Sequence, residues 1–243
     1  MLDLELLDYL EGYLTEERKQ RFLEVLQLRT KHITVAIEDV FQMHNTSAII
    51  RSCDVFGVQE VHVVEDRFAK KLDKNIAMGA EKWVDVHKYR NTSDCITTLK
   101  QQGYQIIATT PHDDSTLLPN FFPETKSAIF FGTEKEGLSE VVMQQADGFL
   151  KIPMVGFSES LNVSVAAAII IQDVAHKVRS SHLDWHLTET QILEKRMDWT
   201  QKSIQHVKGI IKRYYADWGF FVFLAVNQSI TVMLFVYMLR RLV

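Results

Sequence analysis

The stretch Ile33–Val64, ITVAIEDVFQMHNTSAIIRSCDVFGVQEVHVV, decides the fold. Ile33–Glu38 is short and β-branched, which suits a strand. Asn45–Gly57 opens on Asn-Thr-Ser and stops at a glycine, as a capped helix does. Val58–Val64 alternates apolar with polar residues and reads as a second strand. The same alternation continues downstream. Strands are expected at Val84–Tyr89, Gln105–Thr109, Ser127–Phe131 and Phe149–Ile152, with helices at Asn91–Gln102, Leu138–Ala146 and Leu161–Val178. Short apolar strands alternating with helices imply an α/β domain with a mainly parallel sheet, covering residues 32–180.

Outward from this domain the pattern becomes helical. Thr15–Arg29 predicts a helix with Thr15 as its cap. Thr188–Tyr215 predicts one long helix, in which Leu193, Met197, Thr200, Ile204, Val207, Ile211 and Tyr214 form a heptad-like seam that needs a partner. The expected organisation is a helical extension at 1–31, the α/β domain at 32–180, a second extension at 181–216 and an apolar tail at 217–243. Within the tail, Phe220–Leu239 carries no charge and is long enough to span a bilayer as a helix, but Asn227, Gln228, Ser229 and Thr231 cluster near its middle. A membrane anchor, a buried terminal element and an appendage without function all remain open for it.

Of the 243 residues 47% are hydrophobic and 24% charged, an ordinary globular mix that excludes disordered and low-complexity classes. Cys53 and Cys95 are the only cysteines, with no spacing suited to zinc, so neither a disulfide scaffold nor a metal site is expected. The net charge of −4 rules out a uniformly basic nucleic-acid coat while leaving room for local basic patches. The acidic N-terminus lacks the basic region of a signal peptide, so a cytoplasmic location is expected.

Familiar catalytic motifs are missing. GTEKEG at Gly132–Gly137 has the glycines of a phosphate loop, but Leu-Ser follows where Lys-Ser/Thr would be required. Three segments nevertheless concentrate polar residues at the ends of apolar elements. In NTSAIIRSCDVFGV (Asn45–Val58), Arg51 lies six residues beyond Asn45, about 240° around the helix, so a joint role requires Asn45 to be the half-out cap. In IFFGTEKEG (Ile129–Gly137), Glu134 falls just past the carboxyl end of a strand, where open α/β sheets place ligands. In IPMVGFSESLNVSVAAAII (Ile152–Ile170), a polar loop leads into a helix opening at Ser160-Leu161-Asn162. Taken singly, each segment also fits ordinary structure: a capped surface helix, a charged turn and an alanine-rich core helix.

In this order and spacing the three segments resemble the motifs of the SpoU/TrmH branch of the SPOUT RNA methyltransferases, over residues 32–180. The resemblance implies an α/β fold whose C-terminal part forms a trefoil knot. It also implies S-adenosylmethionine bound in that knot, a homodimer, and 2′-O-methylation of a ribose in tRNA or rRNA. Asn45 and Arg51 match the first motif's catalytic pair, Glu134 the acid of the second, and Ser160 and Asn162 the polar pair of the third. Thr109, Ile152 and Leu161 match cofactor-contacting positions, with Gly132 close by. His44 stands beside Asn45 as in relatives, whereas Met43 replaces a frequent proline.

An arginine is effectively always protonated, so Arg51 suits a cation that binds phosphate and stabilises a developing alkoxide better than a literal base. RNA contacts are expected from two basic windows. The first holds Arg18, Lys19, Arg21, Arg29 and Lys31, and the second holds Lys177, Arg179, Lys195, Arg196, Lys202, Lys208, Lys212 and Arg213. Short helical extensions at both ends are similar to the tRNA enzymes that modify guanosine 18 of the D-loop, which makes tRNA the expected partner. An rRNA methyltransferase and a non-catalytic RNA-binding relative are the alternatives.

Overall fold

A computed structural model describes residues 2–40, 42–65, 79–111, 115–133 and 136–216. Glu134 and the tail from 217 onward lie outside the described residues. Two compact units emerge, one from Met1–Arg21 with Leu193–Val243 and the other from Phe22–Ile192.

The larger unit is built on seven strands: β1 (Ile33–Glu38), β2 (Glu60–Val64), β3 (Asp85–Tyr89), β4 (Gln105–Thr109), β5 (Thr116–Leu117), β6 (Ser127–Phe131) and β7 (Gly148–Lys151). They pair in the order β3-β2-β1-β6-β4-β7-β5, and every pairing is parallel. β1 and β6 lie at the centre, in register at Ile37 and Phe131, and all their residues are buried. Their β-branched and aromatic residues suit a strand covered on both faces.

Because strand side chains alternate, each strand feeds two cores. Ile33, Val35 and Ile37 face one side, where Ile49, Ile50 and Cys53 of α3 (Met43–Val55) and Ile170, Ile171 and Val174 of α6 (Val163–Arg179) pack. Ala36 and Phe130 face the other side, against Ile96 and Leu99 of α4 (Thr92–Gln101) and Val142 of α5 (Glu140–Gln145). The strand and helix assignments read from the sequence agree within a few residues. The two-residue β5 lacks a periodic signal because it is too short to show one.

In the smaller unit, α1 (Leu4–Glu11) places Leu6, Leu7 and Leu10 against Leu193, Met197, Ile204, Val207, Ile211 and Tyr214. The partner that the seam was expected to need is therefore α1 of the same chain. The expected single helix is in fact two, α7 (Glu189–Ser203) and α8 (residues 207–216). The break falls at His206, which takes a left-handed φ of 55° and ends the helical path while keeping the seam on one side. Among the described residues no helix is long and apolar enough to cross a membrane.

Candidate active site

The carboxyl ends of β6, β4 and β7, adjacent in the sheet, open onto a cavity of about 410 Å³. Its walls come from three loops. Thr109 ends β4 and Thr110 and Pro111 follow it; Gly132, Thr133, Glu136, Gly137 and Leu138 follow β6; Lys151 ends β7, and Ile152, Met154, Glu159, Ser160 and Leu161 follow it. All four residues expected to hold the cofactor, Thr109, Gly132, Ile152 and Leu161, line this one space, and Ser160 joins them. Thr109 donates its hydroxyl to the Phe130 carbonyl at 2.7 Å, so its contribution to the cavity is backbone and methyl.

The loop after β6 is closed at its neck. Thr133 and Gly137 exchange backbone hydrogen bonds of 3.0 Å each way, and Glu136 N–H donates to Thr133 Oγ1 at 2.9 Å. A Cβ on Gly132 would run into the Gly137 carbonyl, so glycine is required for the approach. Polar side chains on the lining include Glu136, Glu159 and Lys151, while Phe131, Leu138, Leu150 and Ile170 supply apolar surface. Apolar walls with a few polar groups, in a space within the ~300–1,000 Å³ range of small-molecule sites, suit a nucleoside-sized ligand. The two carboxylates suit a sulfonium cation.

Asn162 caps α6. Its Oδ1 accepts from Ser164 N–H at 2.9 Å, Val165 N–H at 3.4 Å and the Ser164 hydroxyl at 2.6 Å. With Oδ1 committed to donors, Nδ2 is free to donate, and it does so to Asn45 Oδ1 at 3.2 Å. One side chain thus terminates α6 and ties it to α3. Asn45 itself departs from the expected position. The cap of α3 is Gln42, and Asn45 lies within the first turn, its N–H bonded to Gln42 O at 2.9 Å and its side chain buried. Two extra residues of helix before Asn45 make the difference; the Asn-Thr-Ser run mimicked a start signal. Arg51 sits farther along α3, exposed, outside the cavity lining, and without a hydrogen bond or ion pair to the described residues.

Most of the expected RNA-binding cations are redirected. Arg29 is 2% exposed, pairs with Asp54 and donates to Val58 O at 3.4 Å. Lys31 pairs with Glu60 at 2.6 Å. Lys177 pairs with Asp173 at 2.6 Å and donates to the carbonyls of Leu118, Pro119 and Phe121 at 2.6, 3.2 and 3.0 Å. Arg179 donates to Phe56 O and to Leu28 O, across Gly57, where a side chain would collide with it. In the smaller unit Arg196 forms a two-point pair with Glu11 at 3.0 and 2.7 Å, and Lys195 and Lys202 share Asp198 at 3.2 and 2.8 Å. Each of these cations has a partner within the chain. Arg18, Arg21, Lys208, Lys212 and Arg213 remain exposed.

Glu38 escaped notice in the sequence. It ends β1, is buried, and accepts from Ser139 N–H at 2.8 Å, Ser139 Oγ at 2.7 Å and Thr92 Oγ1. A lone acid closing an apolar strand was the only available signal.

The SpoU rRNA Methylase family model matches residues 32–172. A tRNA (guanosine(18)-2′-O)-methyltransferase of Borreliella burgdorferi is 38% identical over 83% of this chain and 92% of its own length. The enzyme of the same name from Thermus thermophilus is 35% identical over 77% of this chain and 98% of its own. Among solved structures, the A. aeolicus TrmH/SpoU tRNA modifying enzyme superposes with a TM-score of 0.70 at 31% identity, covering 78% of this chain and 98% of that one. With Thr109, Gly132, Ile152, Ser160 and Leu161 lining one cavity and the match running through the whole sheet, the chain belongs to the SpoU rRNA Methylase family.

Proposed function

We propose that this protein transfers a methyl group from S-adenosylmethionine to the ribose 2′-hydroxyl of guanosine 18 in tRNA. The observation that carries the reading is the cavity at the carboxyl ends of β6, β4 and β7, lined by Thr109, Gly132, Ser160, Ile152 and Leu161. The names of the relatives favour tRNA over rRNA.

When bound, the cofactor supplies an electrophilic methyl. The protein's task is then to align a weak nucleophile and help its proton leave. Backbone groups of the three loops would hold the cofactor, with Glu136 and Glu159 near its positive charge. Asn45 and Asn162 fix the starts of α3 and α6 relative to each other. Arg51, free to meet RNA, would bind the nucleotide phosphate and stabilise the alkoxide as it forms. Glu134 would shape the loop between Thr133 and Gly137. Ser160 would contact the ribose at the cavity mouth.

The same reading includes the family's trefoil knot, formed where residues 152–162 return from β7 to α6. It also includes a homodimer, supported by Val165 and Ile169, which remain 47% and 39% exposed on α6. Arg18, Arg21, Lys208, Lys212 and Arg213 would supply phosphate contacts, and cytoplasmic tRNA would be the partner. The test is methyl transfer to unmodified tRNA with labelled S-adenosylmethionine, followed by mapping of the modified ribose. Label at guanosine 18 supports the reading. Label confined to rRNA fragments supports the ribosomal alternative, and no label on either supports a non-catalytic RNA binder.

A further inference from the structure

We propose that Glu38 is a positioning residue that holds the cofactor loop in place, setting cofactor affinity without touching cofactor or RNA. The inference rests on the cavity being the S-adenosylmethionine site.

Gly132, Thr133, Glu136, Gly137 and Leu138, which follow β6, supply one wall of the cavity. The two ends of this wall are both referred to β1. It departs from β6, whose last residue, Phe131, is in register with Ile37. It lands at Ser139, which is gripped by Glu38, the residue after Ile37. The carboxylate takes both donors of Ser139, its N–H at 2.8 Å and its hydroxyl at 2.7 Å. It also accepts from Thr92 Oγ1 in the first turn of α4. Carboxylates are rarely buried without such partners, and charge-assisted bonds are stronger than neutral ones. Ser139 in turn caps α5, its side chain accepting from Val142 N–H at 3.4 Å.

Neither Glu38 nor Ser139 lines the cavity, so an effect on binding must pass through the loop. Releasing the landing leaves the neck between Thr133 and Gly137 closed but lets the wall shift against β7. A shifted wall weakens cofactor binding, whereas RNA phosphates held on other elements should not sense it.

The full-length protein and the variants Glu38→Gln, Glu38→Ala and Ser139→Ala should be titrated with S-adenosylmethionine by calorimetry. Binding to unmodified tRNA and thermal midpoints are measured on the same samples. Glu38→Ala should raise the cofactor Kd about tenfold or more, with Ser139→Ala and Glu38→Gln showing about threefold, since each retains part of the network. The Kd for tRNA should stay within about twofold. At saturating cofactor, Glu38→Gln should recover most of its turnover, which a residue of the chemical step would not. Should Glu38→Ala fail to fold, the two milder variants carry the test. Unchanged cofactor affinity in Glu38→Gln and Ser139→Ala overturns the inference, as does a parallel loss of cofactor and tRNA affinity. A wild-type protein that does not bind S-adenosylmethionine overturns the cofactor reading itself.

Discussion

The two ends of the sheet are chemically opposed. At the amino end, polar groups are used up on one another. Lys31 pairs with Glu60 at 2.6 Å, Tyr104 donates its hydroxyl to Lys31 O at 2.7 Å, and the Lys126 ammonium lies 4.1 Å from the Tyr104 ring. Midway along β2 and β3, His62 Nδ1 meets Tyr89 Oη at 3.0 Å, and its ring stacks on His87 at 4.9 Å. At the carboxyl end, by contrast, about 410 Å³ of space stays open, lined by apolar side chains such as Phe131, Leu150 and Ile170 and by Lys151, Ser160, Glu136 and Glu159. The same residue types therefore serve stability at one end and ligand binding at the other.

Substitutions at four positions test that contrast, beginning with the largest effect. Arg51→Ala should cut methyl transfer by about 10²–10³-fold while leaving cofactor binding intact, because an alkoxide loses its cation. Arg51→Lys should fail almost as badly, since an ammonium lacks the planar fork. A lysine variant with near wild-type turnover would remove Arg51 from the mechanism.

Arg29→Ala, at the amino end, should destabilise the fold by about 3 kcal/mol, because it strips the partner from Asp54 and empties a buried site. Urea midpoints measure this. The folded fraction should bind tRNA as tightly as wild type, and a selective loss of RNA affinity at full stability would return Arg29 to the RNA surface.

The third test is acid. Burial, together with the charge of His87, lowers His62 from 6.5 to about 4. Below pH 6.5 the unfolded chain takes up a proton that the native state refuses. Stability from this group is thus complete above about 6.5 and falls as the pH drops towards 4, by roughly 2 kcal/mol at pH 5. His62→Gln should flatten the dependence of the urea midpoint between pH 7 and pH 5. An equally steep dependence in the variant would place the titrating group elsewhere.

The smallest effect belongs to the exposed arginines of α2 (Glu16–Leu26). Arg18→Ala should weaken tRNA binding only severalfold and reduce the slope of log affinity against log salt by about one. An unchanged slope would exclude Arg18 from the phosphate contacts.

The alternation of strand and helix was legible because buried parallel strands demand continuous apolar runs, and the motif loops were legible because they interrupt those runs. The resemblance to the family named Thr109, Gly132, Ile152 and Leu161 together, and they line one cavity because parallel strands all end on one side. The charges could not be sorted this way. Arg29, Lys31, Lys177 and Arg179 look like Arg18 along the chain. Their partners Asp54, Glu60 and the carbonyls of Phe56 and Leu118 come from distant elements.

The sequence by itself determined the α/β class, the strand ends that would form the cavity and the apolar seam of the C-terminal helices. Tertiary structure alone decided that α1 covers that seam, that Asn162 reaches Asn45 from 117 residues away, and that Glu38 holds Ser139 from 101 residues away. The physical reason is one of range. Periodicity and turn chemistry act within a few residues and leave a local trace. A hydrogen bond between distant side chains depends on strand order and register, which are set only when the whole sheet assembles.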